Sequence, residues 1–69
     1  MPERIRVWVN QAPVELYRGM QVKHALIAHD PALYTACQRG EATVEDEHGF
    51  TVGLEGALDD GARLAVRPR

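Results

Sequence analysis

The sequence predicts an α+β fold: a mixed four- to five-stranded sheet packed on one main helix, with a short second helix beside it. Three observations predict it. Two runs of strict alternation open the chain, a run with helical spacing follows, and short alternating runs close it. A helix between a leading hairpin and a trailing strand supplies the crossover that parallel neighbours need, so the first and last strands are expected side by side and parallel. The 69 residues are expected to form one domain spanning 1–69, without internal repeat, low-complexity stretch or linker.

In residues 4–9, Ile5, Val7 and Val9 line one side of a strand. Asn10-Gln11-Ala12-Pro13 is turn chemistry, and Val14-Glu15-Leu16-Tyr17-Arg18 alternates again with Val14 and Leu16 inward. A hairpin with Val9 opposite Val14 would set Val7 against Leu16 and Arg6 against Tyr17. Gly19 ends the strand. From Gln21 to His29 the spacing becomes helical, with Val22, Ala25, Leu26 and His29 at i, i+3, i+4 and i+7. Asp30-Pro31 stops that helix and caps the next, expected over 31–38, with Leu33, Ala36 and Cys37 partly inward. Gly40 supplies a left-handed stop. Strands are then expected over 43–47 and 50–52, and 54–58 should form an irregular turn under the core. Asp59-Asp60-Gly61 reverses the chain into a last strand over 62–67, with Leu64 and Val66 inward.

A lone cysteine, Cys37, forbids an internal disulfide and fits a reducing, cytoplasmic setting. No apolar run has the length of a signal peptide or a membrane span, so a soluble protein is expected. The net charge of −2 selects no partner class, but its distribution is uneven. Residues 41–60 carry seven acidic side chains and no Lys or Arg.

The segments Ile5–Asn10, Val14–Leu26 and Leu58–Val66 resemble the β-grasp, or ubiquitin-like, superfamily, and within it the small sulfur carriers of thiamine and molybdopterin synthesis. Those carriers open with a hairpin, step into the helix through Gly-x-x-Val, and close on Leu-x-Asp-Gly-x-x-Leu/Ile/Val-x-Val. The resemblance implies the β-grasp architecture. Carrier chemistry would further require a terminal Gly-Gly, whose thin backbone enters a narrow activating channel. This sequence ends Arg67-Pro68-Arg69, so that chemistry is not expected. Ala36–Val44 is also similar to the cluster loop of plant-type 2Fe-2S ferredoxins. Cys37 matches the first ligand, but Ala42 and Glu45 occupy the second and third positions, and no cluster is expected.

Cys37, near the C-terminal end of a short helix, lacks the dipole that activates a thiolate and reads as a structural cysteine. His24 and His29, five residues apart, point to different sides of a helix, and His48 lies in a turn. No metal site or other cofactor is expected. Glu45 and Glu47 share one side of a strand while Asp46 takes the other, and this reads as a solvated edge or a partner for arginine. The outward positions Arg4, Arg6, Trp8, Tyr17, Arg63 and Arg67 combine arginines with aromatics, the composition of interaction hot spots. Stacking such as Arg6 on Tyr17, and arginines against Glu45, would tile the same face.

The expected function is a small non-enzymatic interaction or accessory module that uses its open sheet face on a protein partner or a second copy of itself. A sulfur-carrier homologue working by a noncanonical route is one alternative, and a weak RNA-binding module is another. The acidic middle and the negative net charge count against nucleic acid, and no membrane role is expected.

Overall fold

The computed structural model describes residues 3–69. Met1 and Pro2, which head the segment read as free of a signal peptide, lie outside them. The alternating first segment forms β1 (Arg4–Val9), which folds back as β2 (Ala12–Tyr17). Two helices follow, α1 (Val22–His29) and α2 (Pro31–Gln38), then β3 (Ala42–Glu45), β4 (Thr51–Val52) and β5 (Arg63–Pro68). The protein is α+β, with one mixed sheet of five strands in the order β2-β1-β5-β3-β4. β1 and β5 pair in parallel and the other neighbours pair antiparallel, as a helical crossover requires.

The hairpin register differs from the expected one. Val9 pairs with Ala12, Val7 with Val14, Ile5 with Leu16, and Arg4 with Tyr17. The turn is only two residues long, because Asn10 and Gln11 both adopt positive φ, 51° and 73°. That geometry matches the twist of the strands it joins. Ala12 and Pro13 are therefore strand residues rather than turn residues. Pro13 faces Trp8, with its nitrogen toward the open edge of β2, and removes no bond from the β1–β2 ladder.

Other boundaries moved by one or two residues. β3 ends at Glu45 instead of 47, since the Asp46 carboxylate draws the chain into a turn by accepting the His48 and Phe50 N–H groups at 2.8 and 3.0 Å. Glu47 consequently lies in that turn and not on a strand. β4 starts at Thr51 rather than 50, and β5 runs one residue later than expected, through Pro68.

The two helices are equal in length, eight residues each, so neither is main by size. They differ in burial. α1 buries Val22, Ala25 and Leu26, whereas α2 only rests Leu33, Tyr34 and Cys37 against the core. At the start of α1 the Gln21 N–H donates to His24 Nδ1 at 2.9 Å, so His24 caps the helix. Asp30 caps α2 by accepting the Ala32 N–H at 3.0 Å, and Gly40 ends it at φ +78°.

The inner face of the sheet supplies Ile5, Val7, Val9, Val14, Leu16, Val44 and Leu64 to the core. Leu58 closes the core from the loop before β5. Every one of these is at most 8% exposed, and among the described residues no polar or charged side chain is buried with them. Each large aliphatic buried in this way contributes about 1.5–3 kcal/mol. Val66 is only partly covered.

The β1–β5 pair is short, with register partners Trp8–Arg63 and Val9–Leu64 only, and side chains extend it at both ends. Asp60 Oδ1 accepts the Arg6 N–H at 2.8 Å below, and Asn10 Oδ1 accepts the Val66 N–H at 2.9 Å above. Beyond Asn10, β5 has no neighbour on that side among the described residues. The next position with the same outlook is Pro68, which has no N–H to leave unpaired.

Candidate functional site

The outer face of the sheet begins where the core ends. Along β1 and β2 it carries Arg4, Arg6 and Trp8 beside Pro13, Glu15 and Tyr17; along β5, Arg63, Ala65 and Arg67; along β3, Thr43 and Glu45. All six expected face residues are thereby brought onto one surface. Arg4, Arg6, Arg63 and Arg67 are exposed, Tyr17 is 42% exposed, and Trp8 is half-buried.

The pairings differ in part from those expected. Arg4, not Arg6, lies over Tyr17, with its guanidinium carbon 5.9 Å from the ring centroid. This follows from the register, which sets Arg4 directly across from Tyr17. Arg4 and Arg6 share one carboxylate, Glu15, at 3.7 and 3.4 Å. Arg67 meets Glu45 at 2.9 Å, the arginine–Glu45 contact that the sequence led us to expect. Exposed pairs of this kind are each worth about 0–1 kcal/mol.

Arg63 is different. Its guanidinium lies over the Trp8 ring, 4.7 Å from the centroid, and among the described residues it forms no ion pair within 4 Å. The stack covers the indole, and a guanidinium so placed keeps N–H donors for a further acceptor. Trp8 and Arg63 border a hollow of about 440 Å³, closed on the other sides by the Asn10-Gln11 turn and by Asp46 and Glu47.

Asn10, Asp46 and Glu47 were not foreseen as parts of this face. The only sequence signal was the shared parity of Glu45 and Glu47. The hollow arises because β3 leaves β5 after Glu45, and that departure is set by the Asp46 side chain.

Cys37 is half-buried in the last turn of α2, and burial pushes its thiol pKa up, opposite to activation. His24 is engaged as a helix cap. Among the described residues no group of three or more His, Cys, Asp and Glu side chains is placed to share a metal ion. No helix among them is long and apolar enough to cross a membrane. The chain matches no protein-family model, and comparison with curated proteins and with solved structures gives no significant match.

Proposed function

We propose that the chain is a β-grasp domain that works as a non-enzymatic interaction module, binding protein through the outer face of its sheet. The β-grasp reading is supported by the leading hairpin, the helical crossover and the parallel β1–β5 pair at the centre of the strand order. The functional reading rests on one observation: Arg63 stacked on Trp8 at the edge of an open hollow, on a face whose other arginines are held by carboxylates. A rigid aromatic with a guanidinium stacked on it is a compact anchor for a partner. Arginines already engaged by Glu15 and Glu45 favour protein over phosphate backbone, where free cations would be needed.

Trp8→Ala tests this. The substitution removes the stack but little core, so stability should fall by about 1 kcal/mol, while capture of a partner from the native cell, or self-association, should be lost. A large drop in the unfolding midpoint with unchanged capture would sink the reading, because Trp8 would then be serving the core.

A further inference from the structure

The β3–β5 ladder stops before β5 does. Its last register pair is Glu45–Ala65, and beyond that pair the Asp46 carboxylate bends the chain away into the turn toward β4. β5 reaches two residues further, to Arg63. Its parallel pairing with β1 uses the Ala62 and Leu64 carbonyls, which accept the Trp8 and Asn10 N–H groups, each at 2.9 Å. Successive backbone groups of a strand point to opposite edges, so the N–H and C=O of Arg63 point away from β1, into the place that β3 has left. Among the described residues neither group meets a hydrogen-bond partner. Such groups are normally paired inside a sheet.

The vacated place is a groove of about 330 Å³ that shares Asp46, Glu47, Arg63 and Leu64 with the hollow beside Trp8. Val52, Leu58 and Leu64 give it apolar lining. Four carboxylates border it, those of Asp46, Glu47, Asp59 and Asp60, against one guanidinium, that of Arg63. Asp46 and Asp60 each commit one oxygen to backbone N–H groups, and Glu47 has His48 Nε2 at 4.0 Å. Among the described residues no Arg or Lys lies within 4 Å of any of the four. Elsewhere on the sheet Glu15 and Glu45 are paired with arginine, whereas here the negative charge is left open.

We infer that this groove takes a short extended segment of a partner protein, one that carries lysine or arginine. The segment's backbone completes the broken ladder, offering Arg63 the acceptor and donor that a longer β3 would have supplied. Charge selects its side chains. A lysine or arginine lays its aliphatic stem on Val52 and Leu58 and sets its cation among the carboxylates. An acidic segment or a phosphate backbone meets four negative charges in the same place. The contact is one ladder pair long, so binding is weak and reversible.

A partner so chosen presupposes the interaction surface proposed above, and the test separates the two. The probe is acetyl-Lys-Val-Lys-Val-Lys-amide, titrated to about 5 mM into the isotope-labelled chain at low salt and followed by amide NMR. The Arg63 amide should shift, and its hydrogen exchange should slow several-fold, because a free N–H becomes a bonded one. Acetyl-Glu-Val-Glu-Val-Glu-amide should leave it unmoved. Glu47→Gln combined with Asp59→Asn should weaken the basic peptide by about 2- to 30-fold, the worth of two exposed ion pairs. Both side chains are exposed, Asn serves a turn as Asp does, and circular dichroism checks the fold. An unmoved Arg63 amide, an equal response to the acidic peptide, or a double variant that binds like wild type overturns the inference. So does an Arg63 amide that shifts with chain concentration alone or with oligouridine, which assigns the groove to a second copy or to nucleic acid. If the groove fails in any of these ways while Trp8→Ala still abolishes partner capture, the outer face stands as an interaction surface and this occupant does not.

Discussion

Along β1 the side chains of Ile5, Val7 and Val9 are at most 2% exposed, while Arg4, Arg6 and Trp8, one residue away on the same strand, face outward. The inner face is held by area removed from water, and no polar group interrupts it among the described residues. The outer face is held by ion pairs and stacks that water and salt compete for. The difference separates tasks. Stability resides on one side of the sheet, leaving the other side free to change partners at little cost to the fold.

The sharpest way to break this comparison is on the inner side. Leu26 is fully buried between α1 and the sheet, and Leu26→Ala should destabilise by about 2–5 kcal/mol. A domain of this size has about 5–15 kcal/mol at most to lose, so urea unfolding should show a midpoint near zero or greatly reduced. A change below about 1 kcal/mol would mean the core is not where the structure places it.

Cys37 lies between the two regimes, half-buried at the rim of the core. Burial raises its thiol pKa in the folded state above the unfolded value. The folded chain then holds this proton more tightly, so stability is kept below the ordinary thiol pKa and declines as pH rises through and above it. At neutral pH, alkylation by iodoacetamide should be slower than that of free cysteine. A rate at or above that of free cysteine would contradict the burial.

The smallest effect is expected on the outer side. Arg67→Ala removes the shortest ion pair of the outer sheet face, 2.9 Å to Glu45, and should cost about 0.2–1 kcal/mol at low salt and less at high salt. A loss near that of Leu26→Ala would erase the distinction between the faces.

Alternation carried most of this fold. Ile5, Val7, Val9, Val14 and Leu16 were legible as core because a strand sorts its side chains by parity, whatever its partner. The hairpin register was not legible. Pro13 suggested a four-residue turn, while the chain uses two left-handed residues, and Gln11 carries no sequence signal for that conformation. The resulting error was a slip of two residues, which preserves parity. Every face assignment in the hairpin survived and every cross-strand partner changed, including the arginine that covers Tyr17. The six face residues were legible for the same reason. Their surroundings were not: the hollow beside Trp8 depends on where Asp46 bends the chain and on Asn10 reaching across to Val66, contacts that no local pattern encodes.

The parallel pair at the centre of the sheet also sets an order of events. β1 and β2 meet across two residues, but β1 and β5 join positions 54 to 56 apart in the chain. Closing a loop of that length costs about 3.5 kcal/mol beyond the constant term of closure, and two register pairs, the Gly61 N–H bond to the Arg6 carbonyl and two side-chain bonds repay it directly. The hairpin is therefore a fast local event and the centre of the sheet a slow one, with the middle strand arriving last. In pulse-labelled refolding the amides of Val14 and Leu16 should gain protection before those of Trp8 and Asn10, whose acceptors are the Ala62 and Leu64 carbonyls.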